Sequence, residues 1–253
     1  MNKQSKLDVI CFGGEDWWYH NRGHTDMQLM RRFAFKGTVL YVNSIVIQKP
    51  NISEGMLFLY KLYRKAKSIF TGLKESGEGF WVFSPVSIPL HHISWARALN
   101  EKLVRFQIYR VIHKLGIHNP LIWVACPGAC DIALKIRKNK LVYQRTDSFE
   151  NYPGVDFKAM YKYDQRLKAN ADLTVYVNSN LYREEFSQCK RALYLDHGVD
   201  FEAFASAQKD PYVPLDIANI QKPIVGYFGA LDDHKLDIGF IEKIRLAARA
   251  KRL

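Results

Sequence analysis

Residues 7–26, LDVICFGGEDWWYHNRGHTD, decide the fold class of this chain. The run LDVICF is apolar almost throughout, Gly13 and Gly14 follow as a turn, and a helical pattern begins at Thr25. A short apolar strand, a glycine turn and a helix form the opening unit of a parallel α/β sheet. Since the strand lacks polar alternation, we expect helices to cover both faces of the sheet.

The same alternation continues along the chain. Further strand-like runs occupy residues 38–44, 79–85, 120–127, 140–146, 171–179 and 191–196, and helical patterns occupy residues 25–35, 93–115, 157–170 and 179–188. Strands that alternate with helices predict a parallel sheet with helices on its faces. The sequence therefore predicts a Rossmann-like parallel α/β lobe over residues 1–205.

A change of composition follows this lobe. Residues 206–222 contain two prolines and neither period, so we interpret them as a linker. The run PIVGYFGALDD (223–233) predicts another strand with a glycine turn, and a helix follows from Lys235. Because one βα unit does not complete a domain, we expect residues 223–253 to be the incomplete start of a second Rossmann-like lobe.

Composition limits the class of protein and partner. The 253 residues are 48% hydrophobic, enough for a packed core. The sequence shows neither a run long enough to span a membrane nor a signal-peptide core, so we expect a cytoplasmic protein. Four cysteines without a CxxC pair predict free thiols. A net charge of +12 favours an anionic partner such as lipid headgroups, nucleic acid or a phosphorylated substrate.

Several catalytic motifs are missing from the sequence. It contains no GxGxxG, GxxxxGK[ST], GxSxG, HExxH or Asp-x-Asp, the patterns of dinucleotide enzymes, P-loop NTPases, serine hydrolases, zinc proteases and metal-dependent GT-A transferases. His20 and His24 have the spacing of two metal ligands, but no third ligand is evident. We therefore expect no metal site.

The loop after the first strand is the first candidate site, because ligands of open α/β sheets bind beyond the carboxyl ends of the strands. Its glycines allow a backbone to approach a phosphate closely at a helix N-terminus. Its polar and aromatic side chains suit sugar rings, and the acceptor-binding candidates are Asp16, Trp17, Arg22 and His24. The alternative is an ordinary turn with half-buried tryptophans.

The run QRTDSFENYPG (144–154) is the second candidate site. It places Arg145, Asp147 and Glu150 together after the fifth predicted strand, where catalytic groups are expected in such a fold. A helix cap by Asp147 or Ser148 explains the same residues equally well. Both interpretations stay open at this point.

The run GMLFLYKLYRKAKSIFTGL (55–73) combines aromatic and basic residues. At helical spacing Lys61, Arg64 and Lys65 share one face, and Lys67 falls off it. Such a helix suits an anionic membrane interface, while a solvated surface helix is the alternative. The tyrosines and phenylalanine favour the membrane.

Three runs carry a family resemblance. DHGVDFEAF (196–204) resembles the Asn-Gly-Val-Asp-x-x-x-Phe passage that closes the N-terminal lobe of family-four GT-B glycosyltransferases. KPIVGYFGALDDHKLD (222–237) is similar to the opening of their nucleotide-sugar lobe, and LVYQRTDSFENYPG (141–154) resembles a turn of the teichuronic-acid and exopolysaccharide enzymes. The resemblance spans residues 7–245.

This resemblance implies a retaining, metal-independent glycosyltransferase without a cofactor. Such an enzyme transfers sugar from a nucleoside diphosphate to a lipid-linked or polysaccharide acceptor of the cell envelope, at the inner membrane face. Asp147 would be catalytic, with Thr146 in place of the family's histidine, and His197 would replace the asparagine of the passage. The donor-binding residues would be Gly13, Gly14, Gly229 and Lys235.

A non-catalytic glycan- or membrane-binding lobe is the alternative function. The family's later glutamates, which hold sugar and ribose, have no counterpart before Leu253. We therefore expect the 253-residue chain alone to be catalytically weak. Nucleic-acid binding is not expected, because the sequence contains no recognisable module for it.

Overall fold

The fold is taken from a computed structural model, which describes residues 6–19, 23–45, 56–88, 94–209, 212–221, 224–227 and 236–250. Within these residues the strands are β1 (Val9–Phe12), β2 (Val39–Val42), β3 (Leu73–Glu75), β4 (Trp81–Phe83), β5 (Leu121–Val124), β6 (Lys140–Arg145), β7 (Leu173–Tyr176) and β8 (Ala192–Tyr194). The helices are α1 (Thr25–Ala34), α2 (Met56–Thr71), α3 (Ser94–Leu115), α4 (Cys130–Ala133), α5 (Phe157–Asn170), α6 (Ser179–Glu185), α7 (Phe201–Ala207), α8 (Leu215–Ala218) and α9 (Ile238–Ala250).

All eight strands form one sheet in the order β3-β4-β2-β1-β5-β6-β7-β8. Every neighbouring pair is parallel except β3 and β4, which are antiparallel. The predicted α/β class with a mostly parallel, Rossmann-like sheet is confirmed. Each of the seven strand-like runs that begin at residues 7, 38, 79, 120, 140, 171 and 191 contains one strand of the sheet.

Two apolar layers cover the sheet. Along β1, Ile10 and Phe12 pack with Val104 and Ile108 of α3 on one face. The alternating residues Val9 and Cys11 pack on the other face with methionines of α1. Since successive side chains of a strand point to opposite faces, α1 and α3 lie on opposite sides of the sheet. Burial on both faces explains the continuous apolar runs in the sequence.

The edge strand β3 was not predicted from the sequence. It has three residues, LKE, and its side chains are partly or fully exposed. It pairs antiparallel with β4 directly after α2. Such a short, charged strand carries no period that a sequence pattern can reveal, and its charge suits a sheet edge.

The chain divides into two compact units, Met1–Val199 and Asp200–Leu253. The first contains the whole sheet. The second contains α7, α8 and α9, so the segment interpreted as a linker includes the short helix α8 and the last two residues of α7. The strand expected near residue 224 is not seen: its described part, residues 224–227, is irregular and largely exposed. A strand needs a neighbour for its backbone hydrogen bonds, and the described part of this unit offers none.

Candidate functional site

The strand order reverses at the boundary between β1 and β5. From β1 the chain proceeds through β2 and β4 to one side, and then crosses to β5 and proceeds to β8 on the other. β1 and β5 are parallel, so their carboxyl ends share one edge. Such a topological switch point is where open α/β sheets bind ligands. The loops after β1, β5 and β6 therefore form the candidate site.

Packing requires the glycine at position 13. A Cβ on Gly13 would lie 2.0 Å from the hydroxyl oxygen of Tyr41, far inside contact distance. The Gly13 amide donates to the carbonyl of Val42 at 2.9 Å, which continues the ladder between β1 and β2. This amide is therefore already engaged within the sheet.

Gly14 is engaged through Asp26 in the first turn of α1. Its amide donates to Oδ2 of Asp26 at 2.9 Å, and the Tyr41 hydroxyl donates to the same oxygen at 3.0 Å. Burial, and then the Asp26 charge, raise the pKa of Tyr41 well above its ordinary value, so the hydroxyl stays a donor. A buried carboxylate thus lies near the helix N-terminus, where the donor phosphate was expected. A phosphate would have to displace Asp26 to reach the Gly14 amide.

Asp16 belongs to a polar network that fixes the loop. Its Oδ1 accepts the Trp18 amide at 3.0 Å, and its Oδ2 accepts the Ser68 hydroxyl of α2 at 2.7 Å. Ser68 lies 2.8 Å from Ser84, which follows β4. Asp16 therefore connects three elements, and both of its oxygens have partners within the fold.

Trp17 is a core residue, which corrects the expectation that it stacks on an acceptor sugar. Its side chain is 0% exposed. The ring packs against Tyr41 and Phe80, with centroid distances of 5.8 and 4.8 Å, and its amide donates to Asn43 at 2.9 Å. With no exposed ring face, Trp17 has no surface to offer a ligand in this conformation.

Arg22 lies outside the described residues, and so does His20. His24 is exposed and occupies the N-cap position of α1 without capping it through its side chain. The adjacent Thr25 hydroxyl is 2.5 Å from Nδ1 of His197, a residue 172 positions away in sequence. The segment after β8 therefore reaches the N-terminus of α1, and this places His197 beside the β1 loop.

Asp147 and Glu15, from the loops after β6 and β1, both act on Tyr152 at this edge of the sheet. Burial raises the pKa of Tyr152 above its ordinary value, and the charge of Asp147, a hydrogen bond to it and the charge of Glu15 raise it further. Tyr152 therefore remains a neutral hydroxyl that donates to the Asp147 carboxylate. Burial likewise raises the pKa of the Cys126 thiol after β5, with a smaller contribution from Glu15. These groups bring three strand-end loops into one half-buried, acidic cluster.

Arg145 and Glu150 lie in a separate ion network, although the sequence analysis grouped them with Asp147. The Arg145 side chain is 0% exposed and forms a two-pronged pair with Glu150 at 2.9 and 2.8 Å. It also contacts Glu185 of α6 at 3.1 Å and Asp164 of α5 at 3.3 Å. Its guanidinium is therefore surrounded by carboxylates inside the protein.

Lys168 completes this ion network. It pairs with Asp164 at 2.7 Å and with Glu185 at 2.6 Å, and its side chain is 1% exposed. Arg145 and Lys168 thus offset the charges of three carboxylates, those of Glu150, Asp164 and Glu185. The network joins β6, α5 and α6 to one another, and we assign it to stability.

The basic helix α2 differs in part from the sequence expectation. The side chains of Lys61 and Lys65 lie outside the described part of the chain. Arg64 is half-buried, and its guanidinium lies over the rings of Tyr19 and Tyr60, 4.6 and 5.7 Å from their centroids. Lys67 is exposed within a stripe whose other members are Met56, Tyr60, Tyr63 and Phe70. Lys67, which the sequence analysis placed off the face of Lys61, Arg64 and Lys65, thus lies on an exposed face that is mainly apolar.

Gly229 and Lys235, the donor-binding candidates of the second lobe, lie outside the described residues. Among those that are described, no group of three or more His, Cys, Asp or Glu side chains is arranged to hold a metal ion. The same residues contain no helix that is both long enough and apolar enough to cross a bilayer. All four cysteines are free thiols.

Sequence reasoning missed Glu15 and Tyr152. Glu15 lies between two residues that it did single out, and Tyr152 belongs to the quoted run 144–154. Position after a strand was a usable signal for both. The proximity of the two residues could not be predicted from the sequence, because it depends on β1 and β6 flanking β5.

Comparison with known proteins identifies no relative: no family model matches this chain, and no curated protein matches it significantly in sequence.

Proposed function

We propose that this chain is a GT-B-type glycosyltransferase that transfers sugar from a nucleoside diphosphate to a lipid-linked or polysaccharide acceptor in cell-envelope glycan synthesis. The reaction would be retaining, need neither metal nor cofactor, and occur in the cytoplasm at the inner face of the plasma membrane. The observation that carries the proposal is Asp147 in the loop after β6, hydrogen-bonded by Tyr152, whose hydroxyl also feels the charge of Glu15.

The acidic cluster suits a neutral, hydroxyl-rich ligand. Asp147 and Glu15 are acceptors that bind sugar hydroxyl groups, and the Tyr152 hydrogen bond holds the Asp147 carboxylate in one orientation. His197 and Thr25 add a ring nitrogen and a hydroxyl near the same edge. In this proposal residues 1–205 bind the acceptor, and residues 223–253 begin the nucleotide-sugar lobe.

The donor diphosphate needs positive partners that the cluster lacks. The Gly13 and Gly14 amides are engaged with Val42 and Asp26. Lys235 is the cation that the family resemblance assigns to the phosphates, where a flexible ammonium neutralises charge without fixed geometry. Donor binding in this proposal therefore depends mainly on the second lobe.

The test measures sugar transfer from a panel of radiolabelled nucleotide sugars into envelope lipids and polysaccharide. We expect Asp147→Asn to lower transfer about a hundredfold, the size of effect found when one charge-stabilising group is removed from an active site. Tyr152→Phe should lower it about tenfold, since a single orienting hydrogen bond is lost. The matched control is Glu75→Gln, which removes the same charge from the exposed edge strand β3. Full activity of Asp147→Asn would contradict the proposal.

A non-catalytic glycan-binding lobe is the second candidate function. It is favoured by the engaged glycine amides and by Thr146, whose hydroxyl accepts from Gln144 at 3.2 Å and offers no imidazole. The same panel separates the two. Binding of envelope glycan that Asp147→Asn weakens, without transfer from any donor, would support the lobe over the enzyme.

The membrane partner is part of the proposal. The exposed stripe of α2 includes Met56 and Phe70, 82% and 90% exposed, and the cation Lys67. Apolar and basic side chains on one helix face suit the headgroup layer of an anionic leaflet. We expect Lys67→Gln to weaken binding to anionic vesicles about fivefold. Nucleic acid is not a proposed partner.

A further inference from the structure

A groove lies along the C-terminal half of α3, on the side of the sheet opposite α1. Its volume is about 700 Å³. The side chains that line it include an aliphatic residue of β3, two aromatic residues and three basic ones: Leu73, Phe106, Tyr109, Arg110, His113 and Lys114. None of these residues belongs to the switch-point site.

Within the described part of the chain, two cations of this groove have no acidic partner. Arg105, on the preceding turn, pairs with Glu101 at 2.8 Å, and Lys135 pairs with the same carboxylate at 2.7 Å. Neither Arg110 nor Lys114 lies within 4.0 Å of a carboxylate of the described residues. Glu101 is the single acidic residue of α3, and it is buried. The outer face of α3 therefore carries unneutralised positive charge.

Large apolar side chains share this outer face. Trp95, Leu99, Phe106 and Tyr109 are exposed by 60%, 46%, 60% and 40% and follow one another at helical spacing. The Phe106 ring lies 5.9 Å from the Arg110 guanidinium. Aromatic rings interleaved with cations are characteristic of side chains at an anionic membrane interface, where the rings enter the headgroup layer.

We propose that this groove docks the protein onto an anionic phospholipid bilayer, with lipid phosphates between Arg110 and Lys114 and the Phe106 ring in the interface. The charge on the groove argues against a second copy of the chain, because two such faces would repel each other. Leu73 and Leu99 favour a bilayer over nucleic acid, since aliphatic side chains offer no stacking face for bases. The inference deepens the proposed membrane association and does not depend on sugar transfer.

The test measures co-sedimentation of the full chain with phosphatidylcholine vesicles, with and without phosphatidylglycerol. Each basic residue near an anionic leaflet strengthens binding about fivefold, so Arg110→Gln with Lys114→Gln should weaken it about 25-fold. Phe106→Ser should also weaken it while the charge is unchanged. All three side chains are exposed, and circular dichroism checks that the variants fold.

The matched control is Arg32→Gln with Lys36→Gln. These two exposed cations lie in and just after α1, across the sheet, and their replacement makes the same change in net charge. We expect the control pair to leave vesicle binding nearly unchanged. Equal losses in both pairs would show attraction by net charge alone and overturn the proposal, and so would no loss in the groove pair.

Two further measurements distinguish bilayer docking from nucleic-acid binding and from sugar transfer. If the groove pair weakens binding to single-stranded DNA but leaves vesicle binding intact, the groove serves nucleic acid and the proposal fails. Sugar transfer to a water-soluble acceptor should be unaffected by the groove pair. The two proposals can therefore fail separately. Loss of transfer in Asp147→Asn with normal vesicle binding would not contradict bilayer docking through the groove, and unchanged vesicle binding in the groove pair would not contradict sugar transfer.

Discussion

The ion network around Arg145 gives the most quantitative prediction of this structure. In Arg145→Met, a guanidinium with 0% side-chain exposure is replaced by an apolar chain. Three carboxylates within 3.3 Å, those of Glu150, Asp164 and Glu185, then keep Lys168 as their main cation. Removing one partner of a buried ion pair costs about 3–5 kcal/mol, because the remaining charge is left uncompensated. We expect a loss of that size in the free energy of unfolding at pH 7.

The matched control is Lys140→Met. This lysine pairs with Asp172 at 3.1 Å, but the two side chains are 61% and 42% exposed. Water and salt screen such a pair, and its loss costs about 0–1 kcal/mol. Urea unfolding followed by tryptophan fluorescence measures both variants, and all five tryptophans lie in the unit that contains the sheet. The signal therefore reports on that unit.

The network also fixes the pH dependence of stability. Burial is the largest single influence and acts to raise the pKa of Glu150 and of Glu185, but hydrogen bonds from Arg145 and other donors, together with the charges of Arg145 and Lys168, outweigh it and lower both pKa values. A carboxyl whose pKa is lower in the folded state stabilises the fold above its unfolded pKa, about 4.3, and this stability is lost as the pH falls further. In Arg145→Met burial dominates, so protonation relieves the uncompensated charge. The stability difference between wild type and variant should therefore shrink from pH 7 to pH 4.

Two results would refute this reasoning. A loss below about 1 kcal/mol at pH 7 would mean that the pairs contribute no more than surface pairs do. A large loss that stays constant from pH 7 to pH 4 would mean that packing, and not charge, makes Arg145 important.

Three other predictions concern the β1 region. Gly13→Ala should destabilise the fold by more than about 1 kcal/mol, because its Cβ would lie 2.0 Å from a buried tyrosine hydroxyl. Gly14→Ala should destabilise it less, since the nearest atom to its Cβ would be 3.9 Å away. Urea unfolding compares the two variants. Trp17→Ala should lower the free energy of unfolding by about 3–5 kcal/mol, the range for a large buried side chain. An unchanged unfolding midpoint would contradict the burial of Trp17. Iodoacetamide at pH 8 should modify Cys189, which is half-exposed, well before Cys11, since complete burial raises the pKa of the Cys11 thiol; equal rates by mass spectrometry would contradict this.

The sequence by itself determined the fold class, and it indicated the edge of the sheet at which the candidate site is placed. Apolar strand runs and helical spacing are local signals, and each run from residue 7 to residue 196 carries its own. The helix Phe157–Asn170 was predicted with its observed bounds from helical spacing, and in the structure Asp156 caps its start by accepting the Ala159 amide. The strand near residue 224 was predicted from the same kind of signal and is not seen, since a strand also needs a neighbour.

The tertiary structure alone decided which of the candidate residues have partners inside the protein. Trp17 resembles a surface aromatic in a polar loop, yet packing against β2 and the residue before β4 buries it completely. Asp147 and Arg145 are two positions apart, but one lies in the switch-point cluster and the other among buried carboxylates. Arg145 is the last residue of β6 and Asp147 lies in the loop that follows, so the neighbours of each side chain depend on elements distant in sequence. Those long-range contacts leave no trace in a local pattern.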